Sequence, residues 1–449
     1  MSEFLQNAAD FIWGLPLLVF IFIVNIILIY HSKFLPLRGF IHAIKLLGEK
    51  KEESSEAEGE ISHFEAFCNA IAATVGLGNI SGVAVAIATG GPGALFWMWV
   101  AAFCGMNTKF FECSVAQLYR GRDYRGDVQG GAMYVIEKAL SPKLRFLSYM
   151  FAICGLIGTL SLFQINQIAD YGETYYGVSK LSSGIIFSLM TFLVLLGGLK
   201  GISKFCSTVV PVMSVLYFIV AMVIVFLNIE KVPGVFTSVI SEALNPSAAF
   251  GGIAGYSFMR ILTIGLKRAT FSNEAGIGTA PMAHSNSKTS EPISEGYVSM
   301  LGPFLDTIIV CSLTAIVILV SFPNGAPQYS GIQLTNEAFV MNLGPVGQHF
   351  LAITILLFAT STMIGMANYN QKCWDYLFKG RFGLGRKTFL AFYSGSILVG
   401  ALIPMMNVIN LMDVAFALMT IPNVVATLYL APKVKDELLK YNKKRLSKI

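Results

Sequence analysis

Eleven apolar runs, each close to the length of a membrane-crossing helix, constrain this chain more than any other feature. They fall at about 11–30, 62–90, 93–118, 146–170, 182–199, 205–228, 256–284, 296–321, 346–371, 387–404 and 408–431. A helix needs roughly 20 mostly apolar residues to cross the hydrocarbon core. Backbone groups in lipid must be satisfied within the span, which leaves helices or a closed barrel. Barrel strands are short and alternating, whereas these runs are long and continuous. Only 13% of the 449 residues are charged, against about a quarter in a soluble domain. That balance excludes a water-soluble globule, and it excludes a disordered chain as well. The expectation is an all-α polytopic membrane protein with 11 spans.

Charge fixes the expected orientation. The net charge of +6 is small and scattered, so nucleic acid is not a partner. Of 32 Lys+Arg, 26 fall in one set of alternate loops and the C-terminal tail. The other set holds only Lys180 and Lys231, while Lys109, Arg260, Lys267 and Arg268 lie inside runs. The positive-inside rule places the N-terminus outside and the tail in the cytoplasm of a plasma-membrane protein. The first run is of span length, follows Glu3 and Asp10 and precedes Lys33, so it is not a cleavable signal. Phe34–Leu47 is amphipathic and suits the inner membrane surface. Lys50–Glu60 reads as a charged, flexible linker. The seven cysteines form no C-x-x-C pair and read as packing residues.

Eleven spans divide into one N-terminal leader and ten others. The first and sixth of those ten are long and interrupted by glycine. One carries Thr74-Val75-Gly76-Leu77-Gly78-Asn79 and the other Phe271-Ser272-Asn273-Glu274-Ala275-Gly276-Ile277-Gly278. Gly76/Gly78 and Gly276/Gly278 lie 200 positions apart. Five spans separate the two segments, so they enter the membrane in opposite senses. This pattern predicts a five-plus-five inverted repeat, each half opened by a broken helix. The expected organisation is residues 1–61 as leader and linker, 62–228 as the first repeat, 229–432 as the second, and 433–449 as a basic tail.

A Gly-x-Gly break in mid-membrane costs about 1 kcal/mol per glycine relative to alanine. The freed N–H groups of half-helix N-termini suit a carboxylate. The opposing carbonyl ends suit a cation, so a zwitterion fits both. Close helix packing is the other use of such glycines. Thr360-Ser361-Thr362 is a cluster of hard oxygen ligands suited to an alkali cation, or of hydroxyls bonded to the preceding turn. Phe163, Gln164 and Gln167 share one helix face, and the glutamines need a cavity or a helix partner. Glu112, Glu274, Asp306 and Asp413 are ionisable residues within spans. Asp413 is expected to form an outer gate with Arg260, Lys267 or Arg268. Glu274 reads either as a functional acid or as a protonated, structural one hydrogen-bonded to Glu112 or to freed backbone.

Gly90-Gly91-Pro92-Gly93-Ala94-Leu95-Phe96-Trp97-Met98-Trp99-Val100-Ala101-Ala102-Phe103-Cys104-Gly105 resembles the signature of the alanine/glycine:cation symporter family, within the amino acid-polyamine-organocation superfamily. Arg268–Pro281 resembles that family's sixth-span block. The resemblance covers essentially the whole chain. It implies sodium-coupled, in some members proton-coupled, uptake of alanine or glycine. Ala73–Asn79 also resembles the unwound first span of the neurotransmitter:sodium symporters, as Phe111–Gly121 resembles the end of their second. That likeness implies that carbonyls of Ala72 and Val75 with hydroxyls of Thr360 and Ser361 hold Na⁺, Thr362 being the alternative by one register step. It also implies that amides near Leu77 and Gly78 hold the substrate carboxylate. Asn79 and the Thr74 carbonyl match part of a second sodium site. Gly82 stands where those symporters carry a gating arginine.

The implied substrate site comprises Thr74, Gly76, Leu77, Gly78, Asn79, Phe163, Gln164, Gln167, Phe271, Ser272, Gly276 and Met363. Phe163, Phe271 and Met363 would fill the space that a larger side chain needs. A membrane enzyme is disfavoured because the chain has no H-E-x-x-H and no Gly-x-Ser-x-Gly. A channel would need a symmetric oligomer. With no nucleotide-binding motif, the expectation is a symporter without a cofactor, its partners being a small neutral amino acid, Na⁺ and membrane lipid.

Overall fold

The computed structural model describes residues 2–49, 59–244, 252–323, 325, 329 and 331–447. Their structure is almost wholly helical. Helix α1 (Ser2–Ile12) precedes α2 (Leu15–Ser32), the leader run. Pro16 sits in the first turn of α2, where its missing N–H costs nothing, and Lys33 ends the helix in a left-handed conformation. The amphipathic segment is α3 (Leu35–Leu47). Most of the expected linker lies outside the described residues.

The run at 62–90 is α4 (His63–Thr74), a π-turn (Gly78–Gly82) and α5 (Val83–Gly90), with a 50° bend between the two halves. Ser62 and Glu65 start α4 with a reciprocal capping box. Next comes α6 (Gly93–Leu118), then a short hairpin of β1 (Gly121–Arg122) and β2 (Val128–Gln129), then α7 (Ala132–Ala139). The third core run is two helices, α8 (Phe146–Gly158) and α9 (Leu162–Tyr176), where the sequence suggests one. Thr159 bonds back to the Gly155 carbonyl at 2.6 Å and Ser161 leaves helical geometry, which breaks the rod.

There follow α10 (Lys180–Leu195), α11 (Gly198–Leu227) and α12 (Val232–Ala243). The second interrupted run is α13 (Gly252–Asn273) and α14 (Ala280–His284). The remainder is α15 (Pro292–Ser321, with a π-helical stretch at Phe304–Cys311), α16 (Ile332–Leu343), α17 (Pro345–Phe378), α18 (Arg386–Gly400) and α19 (Met405–Leu446). Helices α7, α12 and α16 lie in stretches read as loops. The tail is not a separate element, because α19 continues through it.

Among the described residues, six helices are long and apolar enough to cross a membrane, or seven if the bent pair is one span. The outside of the molecule is apolar. Phe22, Ile23 and Ile26 of α2, Ile185, Ile186 and Leu189 of α10, and Val212, Val215 and Phe218 of α11 are all exposed. The polar side chains are inside: Asn69, Asn79, Ser81, Gln167, Ser272, Asn273, Glu274 and Asp306 are each buried. This distribution is stable when the surrounding solvent is lipid. Helix α13 packs along α6, α8 along α19, and α17 against α4, α8 and α11, so both breaks lie at the centre.

Candidate functional site

Two interruptions and a carboxylate build the site. In the first, Val75 is extended (φ −73°, ψ 91°). The Gly76 N–H donates to Asn79 Oδ1 at 2.9 Å, and the Asn79 N–H to the Gly76 carbonyl at 3.1 Å. Asn79 thereby replaces the helix bonds that the break removes, while the turn starting at Gly78 keeps the free N–H groups of a helix N-terminus. In the second, Glu274, Gly276 and Gly278 have φ of 55°, 86° and 94°. The glycines occupy the left-handed region without strain, whereas Glu274 is held there by its surroundings.

Asp306, on the π-helical stretch of α15, joins the two. Its side chain accepts from Asn79 Nδ2 at 2.6 Å, Ser272 Oγ at 2.6 Å and Thr307 Oγ1 at 2.8 Å. Asn273 donates to Thr307 Oγ1 at 3.0 Å. Asp306 is fully buried. The sequence flags it as an intramembrane acid, but no spacing rule links it to positions 79 and 272, so its central place emerges only on folding. Fully buried Lys109 interacts electrostatically with Glu112, Glu274 and Asp306.

The other predicted residues sort by contact. Thr74 Oγ1 bonds back to the Ala70 carbonyl at 3.2 Å. Buried Ala72 and Ala73 lie against Gly365 of α17, where an added methyl would come within 2.8 Å of the Ala73 nitrogen. Gly76 faces Thr362 Oγ1, not Thr360, which is half-buried. Positions 360 and 362 lie about 200° apart around a helix, so only one of them meets the break. Ser361 is buried, with its Oγ on the Phe358 carbonyl at 2.9 Å and on Met213 Sδ at 3.2 Å. The hydroxyl that meets the break is therefore that of Thr362, while Ser361 is turned to Met213 of α11.

Phe163 and Phe271 meet edge to face at 5.2 Å, Phe416 adds a third ring 5.8 Å from Phe271, and Gly78 lies against the Phe271 ring. Leu77 is buried. Gln167 Oε1 accepts from Ser81 at 2.6 Å, and Gln164 is buried with its Oε1 unpartnered. Met363 is buried, and its carbonyl accepts from Tyr393 at 2.7 Å.

Asp413 carries two of the three expected gate cations. Lys267 Nζ lies 2.8 Å from its carboxylate, and Arg268 Nη2 contacts both oxygens at 3.0 and 2.8 Å. The Arg268 guanidinium lies 5.1 Å from the centre of the Phe271 ring, so the cluster roofs the aromatic wall. Arg260 is exposed and pairs with no carboxylate among the described residues, since it lies two turns before the Lys267–Arg268 pair on α13. Nor do Glu274 and Glu112 bond to each other. Glu274 accepts from Thr279 at 2.5 Å, while Asn423 donates to Glu112 at 2.7 Å and to the Gly276 carbonyl at 2.9 Å. On the roof side, Thr335 of α16 donates to the Ile80 carbonyl at 3.2 Å. A separate apolar cavity of about 340 Å³ lies between α2, α6 and α13 and reaches Gly276 from the side. Its apolar walls do not suit a zwitterion.

Comparison with known proteins identifies the relatives of this chain. The profile of the sodium:alanine symporter family matches residues 1–448. The chain is 38% identical over 448 residues to the sodium/alanine symporter AgcS of Methanococcus maripaludis, covering 97% of this chain and 96% of that one. It is 34% identical over 455 residues to the probable sodium/glutamine symporter GlnT of Bacillus subtilis, covering 99% and 92%. The crystal structure of MhsT in complex with L-phenylalanine shares the fold, with a TM-score of 0.60 at 13% identity over 84% of this chain and 98% of that one.

Proposed function

Because the chain belongs to the sodium:alanine symporter family, a family of multi-pass membrane transporters, we propose that it is a sodium-coupled importer of small neutral amino acids, alanine and glycine, working by alternating access. In this reading the chain has 11 spans, a leader plus a five-plus-five inverted repeat, with the N-terminus outside and the C-terminus cytoplasmic in the plasma membrane. It uses no cofactor beyond the coupling ion. The observation that carries the reading is the joining of both helix breaks through Asp306. The N–H groups near Leu77 and Gly78 would take the substrate carboxylate. The carbonyls of Ala72 and Val75 with Ser361 and Thr362 would take one Na⁺, since hard cations prefer oxygen ligands. The carboxylate of Asp306, held by Asn79 and Ser272, favours a cation there as well.

The rings of Phe163, Phe271 and Phe416 support a short side chain. An extra methylene is worth only about 1–3 kcal/mol in such a pocket, so exclusion is graded. Counterflow of labelled alanine in proteoliposomes tests the reading. Exchange is expected only with Na⁺, with alanine and glycine competing and glutamine competing poorly. Na⁺-independent exchange would overturn the coupling, and efficient competition by glutamine would overturn the substrate class.

A further inference from the structure

The two broken helices are joined a second time, at the end of the molecule where α3 meets the C-terminal end of α19. His63 opens α4 and His284 closes α14. Glu295 of α15 is fully buried between them. Its Oε2 contacts Nδ1 of His63 and its Oε1 contacts Nδ1 of His284, the latter at 2.5 Å. Ser287 Oγ lies 3.1 Å from His63 Nδ1. Around this trio the chain entering α4 is zipped to the chain leaving α14. Lys288 N donates to the Ile61 carbonyl at 2.8 Å and Glu60 N to the Asn286 carbonyl at 2.9 Å.

A carboxylate at this depth is stable only when its charge is compensated. One carboxylate with two imidazoles is neutral when one imidazole is protonated. Losing that proton leaves a bare anion, and gaining another leaves an extra cation. The half-helices cannot separate without exposing Glu295 or breaking its contacts. Resting on the alternating-access reading above, we propose that His63, Glu295 and His284 form the latch that closes the release path on this face, and that its opening exchanges a proton with the adjoining solution. All three are positioning residues, since the histidines lie at the far ends of the half-helices from the breaks and Glu295 lies on α15 between them.

Other charged or titratable groups packed nearby are Lys109, Glu112 and Cys113 on α6, with Arg120 at its end, Glu65 on α4 and Lys372 on α17. Around the polar cavity that His63 lines stand Glu291, Lys444, Arg445 and His42. Lys372 donates to Asn286 Oδ1 at 2.8 Å, Arg120 donates to the Ser287 and Thr289 carbonyls, and Glu291 pairs with Lys444. These groups already serve the zipper or one another, while the trio contains the imidazoles that touch Glu295 directly.

The test is alanine exchange by the full chain in proteoliposomes at saturating Na⁺ on both sides, with pH varied on the latch face alone between about 6 and 9. Exchange is expected to rise at least about threefold as the shared proton is lost, because the closed form then holds an uncompensated carboxylate. The Glu295→Gln variant is expected to flatten that profile, and His284→Gln serves if it does not fold. A flat wild-type profile, or a profile unchanged in a folded variant, overturns the latch. If the wild type shows no alanine exchange at all, the transport reading fails instead. The latch is then tested by maleimide labelling of a Thr289→Cys protein at one pH. Labelling at least about fivefold faster with Glu295→Gln supports it, and equal rates overturn it.

Discussion

At the residue scale the informative groups are those whose loss leaves a buried partner without compensation. Asp306 accepts from three side chains on two broken helices and its own turn. Asp306→Asn keeps the shape and removes the charge. The Na⁺ concentration for half-maximal alanine uptake is expected to rise about tenfold, roughly the worth of one charge-assisted contact. An unchanged Na⁺ titration would exclude Asp306 from cation binding. The Asp413 cluster separates its cations by burial. Arg268 is 6% exposed and makes both carboxylate contacts, whereas Lys267 is 15% exposed. Arg268→Met is expected to cost about 3–5 kcal/mol, the penalty for breaking a buried pair. Lys267→Met leaves the Arg268 pair in place and is expected to cost under about 1 kcal/mol. Thermal melting in detergent ranks the two, and the reverse order would mean that Lys267 holds the roof.

At the scale of elements, the two interruptions tolerate substitution differently. Gly278 combines φ 94° with a position where an added methyl would lie 2.7 Å from the Asn423 side chain and 2.8 Å from Phe151. Gly276 has φ 86° but no atom nearer than 3.8 Å. Gly276→Ala should therefore cost only the left-handed strain, about 1–2 kcal/mol. Gly278→Ala adds an overpacking term of similar size or more. The yield of monodisperse protein is expected to fall much further for Gly278→Ala, and equal yields would count against the packing seen here. Helix α3 supplies a pH test. His42 is held down at about 4 by burial, and further by Arg445 and Lys45. Its Nε2 contacts the Tyr441 hydroxyl of α19 at 2.9 Å. The undocked helix takes a proton near the ordinary value of 6.5, so the docked state binds fewer protons and loses stability as pH falls from there towards 4. The protection of α3 amides against hydrogen exchange, taken relative to the intrinsic rate at each pH, should fall over that window, and His42→Phe should remove the change.

At the scale of the whole molecule, the leader is part of the assembly, since Trp13 Nε1 donates to the Asp413 carbonyl at 2.9 Å and α2 packs on α6 and α19. The sequence by itself determined that the chain is helical and lipid-facing, where its apolar runs lie, and that one helix breaks within 74–79 and another within 271–278, where the structure ends the preceding helices at Thr74 and Asn273. These follow from composition, periodicity and glycine placement, which act locally. The same local logic reached the Asp413 partners as a short set of candidates. Only the tertiary structure decided which of them pair, that Thr362 and not Thr360 meets Gly76, that Asp306 spans both breaks and that Glu295 joins two histidines. Those pairs are separated by up to 286 positions, and a contact of that range depends on the rotation and depth of each helix in the bundle. Helix rotation is set by side-chain packing among many elements at once, so it leaves no pattern along any one of them.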